Sequence, residues 1–181
     1  RNPATSCGII GMKATYGRVS KSGVIPLSFS LDHVGPMTRT VEDNALLLNA
    51  IAGYDKNDPS TEKNQKLPDF TEFLKNGVSG LRIGLIRHFY TTDLKAEDEM
   101  CKAIDNAAET FRKLGATVEE INVSPLSHYS SCNSIIMYSE ALSIHNKWFK
   151  ERPNDYSKAT RTRLMPGFFI NGEEFCARCD R

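Results

Sequence analysis

Between residues 40 and 53 the apolar positions follow a helical rhythm. Val41, Ala45, Leu48 and Ala52 recur at three- and four-residue spacing, with Leu47 and Ile51 beside them. A stripe that wide predicts a helix buried along one side. Thr40 suits the N-cap, and Glu42 and Asp43 put negative charge where unpaired N–H groups favour it. Gly53 is the expected C′ residue. LRIGLIR (81–87) then reads as a short apolar strand. Residues 96–114 read as a helix with Met100, Ile104, Ala107, Phe111 and Leu114 inside and Gly115 as its stop. ATVEEINV (116–123) reads as a second strand, with Val118, Ile121 and Val123 apolar. Strand, helix, strand predicts a βαβ unit with parallel strands. Downstream, SIIMYSEALSIHNKWF predicts a helix to Phe149, RTRLMPG a helix stopped by Pro166 and Gly167, and EEFCARCDR a further helix start.

The remaining segments have no such period. Residues 1–39 are rich in Gly, Pro, Ser and Thr, with Cys7–Met12 and Gly23–Leu27 as candidate short strands or extended pieces. Residues 54–80 read as a long loop with a short FTEFL turn. The layout is thus 1–53, a loop over 54–80, a βαβ unit over 81–123 and a helical segment over 124–181. From pattern alone the class is α/β.

Composition narrows the function only by exclusion. The 181 residues carry a net charge of +1, with 40% hydrophobic and 25% charged residues, ordinary values for a globular domain. The densest basic group, Lys158, Arg161 and Arg163, is no stripe, so nucleic-acid binding is not expected. No apolar run approaches the ~20 residues that span a bilayer, and no secretory leader is legible, so no membrane partner is expected. The five cysteines are oddly spaced and suit a reducing cytoplasm. A lone C-x-x-C at Cys176 and Cys179 is weak for zinc, and its helical neighbours suggest that one or both thiols face a core, so no metal is expected. IRHFYTTD, after the first strand of the βαβ unit, has no glycine to cradle a phosphate.

Nucleophilic chemistry is no plainer. None of His33, His88, His128 and His145 accompanies a G-x-S-x-G elbow. His33 reads as a loop residue bonding a neighbour and His145 as a core or surface residue of its helix. Cys7 lies in apolar company, which raises a thiol pKa, and is expected to be buried and structural. Glu42/Asp43 and Glu119/Glu120 are explained by a helix start and an exposed strand face.

RNPATSCGIIGMKATYGRVS, however, resembles the downstream half of the amidase signature. That signature runs roughly Gly-Gly-Ser-Ile-Arg-x-Pro-Ala, then Cys-Gly-x-x-Gly-x-Lys-Pro-Thr-Tyr-Gly-Arg-Val-Ser. Arg1, Pro3, Ala4, Cys7, Gly8, Gly11, Lys13 and Thr15 through Ser20 match it, while Ala14 replaces the usual proline. SLDHVGPMTRTVEDNALLLNAIAGYDKNDP, LRIGLIRHFY, KLGATVEEINV and the R-x-R-L-x-x-G turn at Arg163 are also similar to the family.

The resemblance implies part of the amidase-signature fold, a mixed β-sheet covered by helices on both faces. It implies a parent enzyme that hydrolyses a carboxylic amide to acid plus ammonia or amine. A Ser–cis-Ser–Lys triad would work through an acyl-serine, without metal or organic cofactor. It places the nucleophilic serine two residues before Arg1, so residues 1–181 are expected to be an internal fragment, inactive alone. Lys13 matches a later family lysine and not the triad's. Arg1, Cys7 and Asp32 are implied as loop supports, Arg1 by ion pairing with Asp32, and Asn2 as a substrate contact. Arg163 matches a position where amidotransferase members hold a substrate carboxylate, and a structural salt bridge is the alternative. Tyr138 and Met137 are candidates for the acyl pocket, against simple core packing.

LDHVGPM resembles a general amidase more than the glutamine-using component of a tRNA-dependent amidotransferase, which stays as the alternative. A non-catalytic binding or scaffold piece is the alternative from another class. Expected partners are a small-molecule amide, the rest of the amidase domain and a homodimer, with nucleic acid only for the amidotransferase. The expected location is cytoplasmic.

Overall fold

A computed structural model describes residues 1–64 and 66–179 as two compact units, Arg1–Asn76 and Gly77–Arg181. The α/β expectation holds: both units combine helices with two-stranded sheets.

The first unit opens with helix α1 (Asn2–Cys7), and the extended piece expected over Cys7–Met12 begins only after it and includes a strand at Ile10–Gly11. Pro3 presets the first-turn φ, and the helix stops at Gly8, whose φ of 63° is left-handed. Ile9 N–H then returns to the Ala4 carbonyl at 3.1 Å. Strand β1 (Ile10–Gly11) follows and pairs antiparallel with β2 (Met37–Thr38). A Cβ on Gly11 would overlap that of Ala4, so glycine lets the strand lie directly on α1. Gly23–Leu27, the other candidate strand, forms turns and bends.

Helix α2 (Val41–Ile51) is capped as expected, Thr40 Oγ1 accepting from Asp43 N–H at 3.0 Å. Its packed face differs from the expected one. Ala45 and Leu48 are buried with Asn44, whose amide donates to Pro36 O and Thr38 Oγ1, while Val41, Leu47 and Ile51 are exposed. An inward polar anchor ties α2 to β2, so the helix presents that side. Leu48 joins Ala14 and Val19 in a small core, with Val34, Ala52 and Phe70 against it. The helix ends when Ala52 turns extended and bridges Val19, and Gly53 N–H donates to Arg18 O.

In the second unit β3 (Arg82–Leu85) and β4 (Thr117–Glu120) are parallel, Arg82 opposite Thr117 and Leu85 opposite Glu120, joined by α3 (Asp98–Lys113). This is the βαβ unit expected. The inner face of α3 is offset by about one residue: Ala108 is buried, Cys101, Ile104 and Asp105 half-buried, and Met100, Phe111 and Leu114 exposed. Asp105 turns inward to reach Arg87 at 2.8 Å, which fixes that rotation. A π-helical turn (Phe89–Asp93) lies between β3 and α3.

Helix α4 (Leu126–Glu151) is the longest element. Helix α5 (Lys158–Leu164) passes into a 3-10 turn (Met165–Phe169) through Pro166 and Gly167. Helix α6 (Gly172–Cys179) opens on a reciprocal cap between Asn171 and Glu174. Among the described residues no helix is long and apolar enough to cross a membrane.

Candidate functional site

In the first unit Arg1 is the N-cap of α1 and Asn2 its first residue, both exposed. The Arg1 carbonyl accepts from Thr5 N–H at 3.0 Å and Thr5 Oγ1 at 3.2 Å, so the cap residue is held by its backbone. Cys7 is exposed in the last turn of α1, which corrects the expectation of a buried thiol: the face that packs under Gly11 belongs to Ala4. Asp32 does not pair with Arg1. Its Oδ2 accepts from Leu27 N–H at 2.8 Å and Ser28 N–H at 3.0 Å, closing the loop that carries Phe29.

Asp32 also lines an open cleft of about 600 Å³ with Tyr16, Lys21, Phe29, Asp58 and Pro59. Sequence reasoning missed its organising residue, Lys21. The ammonium sits 4.2 Å from the Tyr16 ring centroid and donates to Tyr16 Oη at 3.1 Å and Phe29 O at 3.0 Å. Tyr16 Oη itself donates to Phe29 O at 2.8 Å. The Lys21 N–H donates to Asp58 Oδ2 at 2.7 Å. That bond, then Ser60 and the nearby Lys21 charge, hold the buried Asp58 carboxyl below the usual range despite burial. The signal available in the sequence was Tyr16 five residues ahead of a lysine, a spacing with no regular-element meaning.

In the second unit Met137 and Tyr138 are half-buried on α4. The 3-10 turn crosses at their level: a Cβ on Gly167 would come 2.6 Å from the Tyr138 carbonyl and 3.0 Å from Leu142 Cβ. His145, one of the four histidines, is buried with Nδ1 3.0 Å from Tyr156 Oη, an anchor of the helix layer. Of the two arginines in the R-x-R-L turn, Arg161 is the structural one, donating to Pro153 O at 3.1 Å and Asn154 Oδ1 at 3.0 Å. Arg163 is exposed, and no hydrogen bond or ion pair holds it among the described residues. The salt bridge considered for it is not seen among the described residues. The thiol of Cys176 is exposed, not packed into a core, and the Cys179 side chain lies outside the described residues.

The end of β3 carries a second polar cluster. Arg87 reaches Asp105 at 2.8 Å and Glu120 at 3.2 Å, and hydrogen bonding from Arg87 holds the Asp105 carboxyl below its ordinary value. His88 meets Asp93 at 3.1 Å. Asp93 Oδ2 also accepts from Leu126 N–H at 2.7 Å, and that bond, more than His88, lowers the Asp93 pKa.

The amidase family model matches residues 1–171. The A-type subunit of glutamyl-tRNA(Gln) amidotransferase from Ligilactobacillus salivarius is 44% identical over 143 residues, 79% of this chain and 29% of that protein. The crystal structure of the subunit of that name from Thermotoga maritima superposes with a TM-score of 0.72 at 31% identity, covering 93% of this chain and 35% of that one. A crystal structure described simply as amidase gives 0.74 at 28% identity, covering 95% and 35%. The chain thus spans roughly a third of the length of these relatives.

Proposed function

The chain belongs to the amidase family, and from that premise we propose that its parent protein releases ammonia from glutamine as the A-type subunit of a tRNA-dependent amidotransferase. The observation that carries this reading is Arg163. Its neighbour Arg161 takes the structural bonds of the turn, while the Arg163 guanidinium is exposed and has no hydrogen-bond or ion-pair partner among the described residues. A planar fork of N–H donors is suited to a carboxylate, which glutamine carries and a simple aliphatic or aryl amide lacks. The names of the curated relatives support the same choice over the general amidase suggested by LDHVGPM.

On this reading the nucleophile is the serine that the signature places two residues before Arg1, and it forms an acyl-enzyme. Asn2 of the first unit is proposed as a substrate contact, and Tyr138 of the second as an acyl-pocket residue. The exposed apolar side chains Met100 and Phe111 of α3, and Leu114 that caps it, are covered by the rest of the amidase domain. A cytoplasmic enzyme working on tRNA with a partner subunit completes the proposal.

The test is steady-state kinetics of the full-length parent with glutamine and with a neutral amide such as propionamide. Arg163→Gln is expected to raise KM for glutamine by about 10- to 100-fold, the loss of one charged hydrogen-bonded contact, and to leave the neutral amide unaffected. Replacing the upstream serine by alanine should abolish both activities. Turnover of neutral amides with none of glutamine would return the protein to the general amidases. No turnover of any amide would favour the non-catalytic alternative.

A further inference from the structure

Helix α4 starts without a cap of its own. The residue before Leu126 is Pro125, in extended backbone, and proline has no side-chain oxygen to offer the first-turn N–H groups. The acceptor is imported from far along the chain. Asp93, at the end of the π-helical turn, places Oδ2 2.7 Å from Leu126 N. The same oxygen lies 3.1 Å from His88 Nδ1.

The other face of that imidazole settles its tautomer. Val123 N–H lies 3.3 Å from His88 Nε2, and a backbone N–H can only donate. Nε2 therefore carries a lone pair, and the proton sits on Nδ1, where it donates to Asp93. The ring is packed as well as bonded. His88 and Asp93 side chains are only 20% and 18% exposed. Phe89 meets the imidazole edge-on at 5.0 Å and in turn meets Tyr129 of α4 at 5.9 Å. Asp93 is the carboxylate in contact with His88. The flanking charges are engaged elsewhere: Arg87 with Asp105 from α3 and Glu120 from β4. From α4 the facing groups are Leu126 N–H, through Asp93, and the Tyr129 phenol, through Phe89.

We propose that His88 is a positioning residue whose neutral Nδ1–H tautomer seats Asp93 as the cap of α4 and latches the connector from β4 at Val123, and that protonation releases the connector. The two bonds respond oppositely to a proton. On Nε2 it removes the acceptor that His88 offers to Val123 and sets two N–H donors against each other. The Nδ1–H bond to Asp93 persists and becomes an ion pair. The acidic form therefore keeps the cap and frees the connector. Because α4 carries Tyr138, the latch bears on the pocket, a consequence that rests on the function proposed above.

The test uses the full-length protein labelled with 15N-histidine. At pH 8 the imidazole shifts should report a protonated Nδ1 and a bare Nε2 for His88. Residue-resolved amide exchange, normalised for its intrinsic pH dependence, should show protection at Val123 falling about tenfold as His88 titrates, the scale of one neutral hydrogen bond, with Leu126 keeping its protection. His88→Asn can keep an N–H donor at the Nδ1 position toward Asp93, but its shorter side chain places no acceptor at the Nε2 position beside Val123. It should show the low Val123 protection at every pH.

An Nε2–H tautomer at pH 8, or Val123 protection that ignores the titration, overturns the latch. Both are read on the unmodified protein, so a poorly folding variant does not blunt the test. KM for the amide substrate should rise over the same pH range in the unmodified enzyme and be high and flat in His88→Asn. A latch that titrates with KM unmoved overturns its coupling to Tyr138. Absence of any amide turnover counts against the function proposed above and leaves the exchange result to stand.

Discussion

The two units are held together in different ways. In Arg1–Asn76 the strands are two residues long and the core is Ala14, Val19 and Leu48. Its shape is set by side chains bonding backbone: Asp32 to Leu27 and Ser28, Asp58 to Lys21 and Ser60, Asn44 to Pro36. In Gly77–Arg181 regular elements carry the order, a parallel ladder and a 26-residue helix, and apart from His88–Asp93 the ion pairs are a third exposed or more. An equal-looking apolar or charged residue therefore carries different weight in each. In the first unit each buried polar anchor, such as Asn44 or Asp58, fixes its own stretch of loop. In the second the load is shared along repeats.

Leu48→Ala is the strongest way to break that contrast. Leu48 is 1% exposed and is the largest side chain of the core cluster it forms with Ala14 and Val19. Its truncation should cost about 2–5 kcal/mol, since a core this small has few neighbours to close the cavity. Phe111→Ala, on the outer side of α3 in the second unit, should cost much less in any state in which that face is uncovered. Urea unfolding of the full-length protein, followed by fluorescence and by exchange in each unit, compares the two. Equal losses would show that the apolar face of α3 is packed in the whole protein, as the proposed domain cover requires.

Asp58→Asn should rank next, at about 1–3 kcal/mol, because one acceptor oxygen becomes an NH2 set against the N–H of Lys21 or the N–H and hydroxyl of Ser60. The sign with pH follows from the direction of its shift. The folded carboxyl lies below its ordinary value, so its contribution is full above the normal carboxylate range and is lost as pH falls through the folded pKa. The gap between wild type and Asp58→Asn should therefore be constant from pH 6 to 8 and close on acidification. A gap that widens in acid would contradict the hydrogen-bond pattern around Asp58.

The same contrast decides what could be read from the sequence. Periodicity located α3, α4 and the parallel strands, because regular elements repeat their signal over several turns. It misplaced the inner faces of α2 and α3 because Asn44 and Asp105 are drawn inward by specific partners, Pro36 and Arg87, that no hydropathy pattern encodes. Apart from α2, which periodicity and its Thr40 cap located, the first unit was legible only through its resemblance to a known signature, since its glycines, Asx turns and short bridges have no period. Cys7 shows the limit of composition: its apolar neighbours suggested burial, yet in a helix of six residues the inward position went to Ala4. Lys21 and His88 were invisible because their roles arise from partners five or more residues away that meet only in the folded chain. Arg161 and Arg163 were indistinguishable as letters, and only the acceptors at Pro153 and Asn154 separate them.

Arg87→Gln should have the smallest effect, and for that reason it sharpens the comparison. Arg87 is the most connected charge of the second unit, bonded to Asp105 and Glu120, and it lies over the Tyr90 ring at 6.0 Å. Yet its side chain is 35% exposed and those of its partners 42% and 56%, so water already solvates much of what the pairing gains. The unfolding midpoint should fall by less than for Asp58→Asn. The difference should shrink further in 1 M NaCl, where the screening length drops to about 3 Å. Asp105 is held below its ordinary value chiefly by Arg87, so the deficit is present at neutral pH and disappears as pH falls through the folded Asp105 pKa. A salt-insensitive loss as large as that of Leu48→Ala would mean that the Arg87 cluster is desolvated in the full-length protein, and the division between a sparse, buried first unit and a distributed second one would fail at that point.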